Sequence, residues 1–247
     1  MNDDDQREWT GLFKLGALSA LIIVIVFFVE IVVIVFYGLP PTSVEGWFAL
    51  LNANRAVGLI QTFALDVIAV SFHAPLYLAL FFYLREGQKG AATLLVAVTL
   101  ALIGMAVFFS TNITFSMLYL SGQYASAASP EQKAQFVISG QTLLSIYNGT
   151  GPFVAYLFYA VAGILVSIVM LQTRRFAMWV GIAGIIGNVL ELGLPPALNP
   201  PFFMQIDPFL IGIGGVILLF WYVAIAVKFY SQKARTKPAQ ALSGAIH

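Results

Sequence analysis

Three acids, Glu30, Asp66 and Glu191, stand inside stretches that are otherwise almost wholly apolar. A carboxyl is expensive in lipid, so such a residue points by default to ligand binding, proton transfer or a polar helix contact. His73 follows Asp66 by seven residues, on the same helical face. The axial gap is about 10 Å, too long for a direct hydrogen bond. Val70 completes the stripe, which is expected to face a helix bundle interior. Asn188 precedes Glu191 by three residues, a spacing that suits either polar glue between helices or two ligand contacts. Asn112 and Arg55 close the set, Arg55 being the only nearby cation and a candidate partner for Asp66.

The inventory limits the chemistry. There is no cysteine, which removes disulfides, thiol nucleophiles and iron–sulfur clusters. Of two histidines, His247 is the last residue, so a bis-histidine haem or a three-ligand zinc site lacks ligands. No lysine lies mid-span to carry retinal. His73 has no evident serine partner for a triad, and no glycine motif for phosphate is present. No catalytic residue, metal or cofactor is therefore assigned, and an enzyme is disfavoured without being excluded. An intramembrane acid–base enzyme would need one of the three acids shifted toward neutrality.

The elements that must position these residues follow from composition. The chain is 60% hydrophobic and 9% charged over 247 residues, against roughly 25% charged in a soluble domain. An all-α polytopic membrane protein is the class that remains. Six apolar runs are long enough to span: 12–37, 57–84, 91–114, 152–172, 177–195 and 207–230. Residues 1–11 and 232–247 are read as tails flanking a domain over 12–231. The first span ends at Gly38-Leu39-Pro40-Pro41 and the fifth at Gly193-Leu194-Pro195-Pro196. Asp207-Pro208 reads as the N-cap and first residue of the sixth.

Ten of the twelve basic residues fall on one side of these spans: Arg7, Lys14, Arg85, Lys89, Arg174, Arg175, Lys228, Lys233, Arg235 and Lys237. Arg55 and Lys133 fall on the other. Both termini are thus expected in the cytoplasm, with the chain in a plasma membrane. The first span is too long for a cleaved signal peptide. At 1.5 Å per residue, Glu30 lies about 10 Å, Asp66 about 13 Å, Glu191 about 6 Å and Asn188 about 10 Å below the outer ends of their spans. Asn112 falls near that level, so three helices place a carboxyl in the outer half of the bilayer.

The outer connections carry amphipathic helices. One lies within 42–54, capped by Thr42 or Ser43, with Trp47 and Phe48 suited to the membrane interface. In 115–151, Ser129-Pro130-Glu131 is a helix start. Phe136, Gly140, Leu143, Leu144 and Tyr147 then share one face, in a helix that is either a packed connector or a lid. Gly181, Gly184 and Gly187 suit close helix packing. Pro75 frees a carbonyl that Ser71 or water satisfies. Trp9, Trp179 and Tyr222 read as interfacial or packing residues, and no internal repeat is visible.

Several stretches carry a resemblance: Asn54-Arg55 ahead of Asp66, Leu76–Leu80, Phe108–Asn112, Gly140-Gln141, Val166–Leu171 and Gly181–Gly184. The most specific is Ser116-Met117-Leu118-Tyr119-Leu120-Ser121-Gly122-Gln123-Tyr124. Over roughly 12–230 the chain resembles a domain-of-unknown-function family of bacterial and archaeal six-helix integral membrane proteins. The resemblance implies that topology and a prokaryotic membrane, and no activity. The leading expectation is a non-enzymatic binding or sensing protein with a polar pocket open to the outer side. Its partners would be the bilayer and a small amphipathic or lipid-like ligand, not nucleic acid. A proton-coupled transporter using Glu30, Asp66 and His73, and an accessory membrane subunit, stand as alternatives.

Overall fold

A computed structural model describes the backbone of residues 3–85, 90–192 and 201–235, and the side chains of 9–85, 90–192 and 209–231. The described residues form helices joined by short turns, with no strand among them. Six helices form a ring in chain order: α1 (Asp3–Tyr37), α4 (Ala64–Leu84), α5 (Ala91–Thr111), α8 (Thr150–Thr173), α9 (Met178–Glu191) and α10 (Pro201–Arg235). Each packs on the next, and α10 closes on α1. The remaining helices are α2 (Val44–Ala53), α3 (Arg55–Gln61), α6 (Thr114–Ser126) and α7 (Pro130–Tyr147). Of these, α2, α6 and α7 pack on one another as a cap at one end of the ring.

Five helical stretches are apolar and long enough to cross a membrane: Trp9–Tyr37, Ala64–Leu84, Ala91–Ser126 through α5 and α6, Pro130–Thr173 through α7 and α8, and Phe209–Ser231. The apolar α9 has 14 residues, about 21 Å of helix against a hydrocarbon core of about 30 Å. Large side chains point outward from the ring, with Phe28 61% and Phe220 64% exposed. An apolar outer surface of this kind fits a lipid environment. Inside, small residues let helices approach: Ala17, Ala20, Ala79 and Ala226 are buried. On α9, a β-carbon at Gly181, Gly184 or Gly187 would strike Leu171 of α8, Ser167 and Trp221, or Leu218 of α10, respectively. The glycine spacing thus serves the close packing expected of it.

Charge separates along the ring axis. At the end away from the cap, Trp9 stacks on Phe82, the Arg85 guanidinium lies 4.2 Å from the Phe82 ring, and an Arg175 N–H donates to the Tyr83 carbonyl. Lys133 lies at the cap end, over the Tyr124 ring. Lys89 lies outside the described residues, as do the side chains of Arg7, Lys233, Arg235 and Lys237.

Several expected boundaries change. The first helix begins at Asp3, so most of the expected tail 1–11 is helical. The expected span 57–84 is two helices: α3 stops at Gln61, and Phe63 takes a left-handed φ of 66° before α4 begins. The span 91–114 ends at Thr111, and residues 114–126 form a helix that the pattern did not reveal. Asp207-Pro208 lies inside α10, not at its start, because the helix already runs from Pro201. That helix also extends to Arg235, into the expected tail, while 236–247 and the Gly193–Pro196 stop lie outside the described residues. Ser71 donates to the Val67 carbonyl, one turn back in its own helix.

The cap helices form where expected. Ser43 accepts from the Gly46 N–H to cap α2, and Ser129 accepts from the Gln132 N–H to cap α7. Trp47 and Phe48 are not interfacial, being 1% and 0% exposed. They fill a small core with Val44, Leu51 and Met117, against which Phe136, Leu143, Leu144 and Tyr147 pack. A helix lying over other protein buries its apolar face there and not in lipid, which composition alone does not reveal. Gly140 is where α7 meets α2, since a β-carbon there would strike Val44 and Phe48.

Candidate functional site

The break between α3 and α4 sets the geometry beneath the cap. Helix ends leave carbonyls without intrahelical donors, and here a second break supplies donors. Where α5 gives way to α6, the Thr114 hydroxyl donates to the Thr62 carbonyl and the Asn112 amide donates to the Phe63 carbonyl at 3.4 Å. Asn112 Oδ1 accepts from the Thr114 N–H at 3.1 Å, fixing the amide's orientation. Tyr147 stacks on Phe63 with ring centroids 5.2 Å apart, which holds the uncommon backbone conformation from the cap side. Gly38 ends α1 with φ 83°, and its carbonyl accepts from Gln61 at 2.8 Å. Asn112 is therefore engaged at the two breaks, and it does not line the cavity described next.

Asp66 falls in the first turn of α4, directly below the break. It is 6% exposed and lines a cavity of about 40 Å³ inside the ring. Glu191, the last residue of α9, lines the same cavity, as do His73 and Asn188. The Glu30 side chain meets Asp66 from α1 and lies within electrostatic reach of Glu191. Glu30 is half-buried, and its Oε1 is enclosed with no hydrogen-bond partner. Carboxyls from three helices thus converge, which sequence depth suggested but could not establish in rotation about each helix.

Among the described residues no cation faces them. Arg55 is exposed at the start of α3 and makes no ion pair with Asp66. Among the described residues no three His, Cys, Asp or Glu side chains come close enough to hold a metal ion. Carboxyls gathered in a low-dielectric interior without a counter-charge need protons or a bound cation to offset them.

The deeper wall is aromatic. His73 Nδ1 contacts the Ala69 carbonyl at 2.9 Å, and a carbonyl can only accept, so Nδ1 carries the hydrogen. In the neutral ring Nε2 then accepts from the Tyr222 hydroxyl, at 3.0 Å. Both nitrogens are engaged, and Tyr77 and Tyr159 pack against the ring at 6.2 and 4.9 Å between centroids. His73 thus anchors the wall from within α4. Tyr159 is 9% exposed, and its hydroxyl is buried with no partner. The Asn188 amide donates to the Gly184 carbonyl at 2.7 Å, and Gly163 leaves room for this side chain, because a β-carbon there would strike it.

Of the residues singled out by sequence, Glu30, Asp66, His73, Asn188 and Glu191 come together, while Asn112 and Arg55 do not join them. The spacing does not single out Tyr77, Tyr156 or Tyr159, while Tyr222, read as interfacial or packing, packs in the core and also bonds His73. A usable signal was present, since a phenol inside an apolar span must find a partner for its hydroxyl.

No protein-family model, curated protein or solved structure matches this chain.

Proposed function

We propose that this chain is a non-enzymatic membrane protein that binds a small ligand in the acid-lined cavity under the cap. The observation that carries the reading is the convergence of Glu30, Asp66 and Glu191 with no facing cation among the described residues. A volume of about 40 Å³ favours a ligand of a few heavy atoms over the lipid-like one that composition suggested. The proposal includes residence in a prokaryotic plasma membrane with six spans, both termini cytoplasmic and the cap outside, supported by the segregation of basic residues. It also includes kinship with the six-helix family that the stretch from Ser116 to Tyr124 resembles.

A second reading, a proton-coupled transporter, draws support from the paired breaks at Thr62–Phe63 and Asn112–Ile113. Irregular backbone at membrane depth is tolerated where it is buried in protein or lines a cavity, and transporters use such interruptions at their binding sites.

The test is thermal unfolding in detergent at pH 5 and pH 8. Groups that face the acids are His73 and Tyr77 on α4, Tyr147 on α7, Tyr156 and Tyr159 on α8, and Tyr222 on α10. Wild type is expected to change its midpoint between the two pH values. Asp66→Asn, Glu191→Gln and Glu30→Gln should each lose part of that change, and the triple variant most of it. If the single variants keep the full pH difference and each loses stability at both pH values, the acids are scaffolding and the reading falls. Flux driven by a pH step across proteoliposomes separates transport from binding.

A further inference from the structure

The cavity gathers carboxyls inside an otherwise apolar ring. Acceptors gather there: the Asp66 and Glu191 carboxyls, with the unpartnered Glu30 Oε1 beside them. Two donors on the wall are already engaged, the Tyr222 hydroxyl with His73 and one Asn188 N–H with the Gly184 carbonyl. Tyr159 adds a buried phenol oxygen with no partner, nine-tenths enclosed and on the cavity wall. Carboxyls from three helices, with no cation facing them among the described residues, select a ligand that is positively charged and donates hydrogen bonds.

The walls narrow the choice. Rings of Phe27, Tyr77, Tyr156 and Tyr159 line the cavity. Aromatic faces attract cations through the ring quadrupole, and they recognise ammonium ligands in particular. A metal cation would look instead for several close oxygen or nitrogen ligands, and no cluster of three such acidic or imidazole groups exists among the described residues. Size sets the upper bound. A water-sized group takes about 10–15 Å³ by this measure, so about 40 Å³ admits roughly three heavy atoms.

We infer that the cavity binds a small ammonium cation, from ammonium itself to methylammonium or dimethylammonium, with N–H groups donating to Asp66, Glu191 and the Tyr159 oxygen against the aromatic wall. This rests on the acid-lined cavity being a binding site and names its ligand class.

The experiment is a thermal-unfolding titration of the purified full chain at pH 8 with methylammonium chloride, using sodium chloride and tetramethylammonium chloride at equal ionic strength as controls. Methylammonium should raise the midpoint saturably, while sodium and the bulkier tetramethylammonium should not. Tyr159→Phe keeps the ring and removes one oxygen, and should weaken the apparent affinity about tenfold, as expected for one hydrogen bond to a charged group. Asp66→Asn should abolish the saturable shift. Thr99→Val, at an exposed position on α5, should behave as wild type. The inference is overturned if methylammonium does no more than sodium, or if Tyr159→Phe and Asp66→Asn respond as wild type does. If the pH 5 to pH 8 difference still depends on the acids while no ammonium ion binds, the acid-lined site stands and the ligand class is wrong. If the pH dependence is absent too, both fall.

Discussion

Thr114→Val tests whether the paired breaks hold the cavity's roof in place. Thr114 is 0% exposed and Thr62 1%, so their contact is sealed from water. The substitution keeps nearly the same shape and removes the hydroxyl that donates to the Thr62 carbonyl. That carbonyl sits at the C-cap of α3, and the chain turns away at Phe63 before the next helix begins, so no intrahelical donor replaces the lost one. Leaving a buried carbonyl unpaired costs about 1–3 kcal/mol. For a chain of this size each kcal/mol moves the midpoint about 2–4 °C, which gives a fall of roughly 2–12 °C. The assay is intrinsic tryptophan fluorescence during heating in detergent, read from the buried Trp47 and Trp221. The control is Thr99→Val, whose exposed hydroxyl only adds a second bond to a carbonyl in its own helix. If Thr114→Val costs no more than Thr99→Val, the donor is not what satisfies the break, and the account of the roof is wrong.

Other substitutions probe the cap and the aromatic wall. Gly140→Ala should destabilise by about 1–3 kcal/mol, because the added carbon overpacks Val44 and Phe48. It should also speed proteolysis of the link between α6 and α7, and unchanged cleavage would show that α7 does not depend on this contact. Tyr222→Phe removes the donor to His73 Nε2 and should cost about 1–3 kcal/mol. It should also shift the His73 imidazole nitrogen resonances, while those of His247 stay fixed. Unmoved His73 resonances would refute the hydrogen bond from Tyr222 to Nε2.

Legibility differed between the cap and the cavity for a physical reason. The caps of α2 and α7 are local: Ser43 and Ser129 bond to groups three residues away, so their residue types announce them. The shared face of Phe136, Gly140, Leu143, Leu144 and Tyr147 is likewise a matter of helical period. The break at Thr62–Phe63 has no such mark. Neither glycine nor proline stands there, and its donors come from Asn112 and Thr114, about fifty residues further along the chain. Tyr222 packs in the core as one of its two readings has it, but its bond to His73 has no local mark, because that partner lies on another helix, 149 residues away.

By itself the sequence determined that the chain is helical and apolar enough for a membrane, which end collects positive charge, and that three carboxyls lie at similar depth. These properties are sums over residues or follow from the rise of a helix. Tertiary structure alone decided how each helix is rotated about its own axis, and so which polar groups meet. Rotation brought Glu30 to Asp66 and turned Tyr159 into the same space as Glu191, while Asn112 was drawn to the two helix breaks. Rotation depends on contacts between distant segments, such as α10 closing on α1 and Gly163 admitting Asn188, and these form only when the whole ring packs.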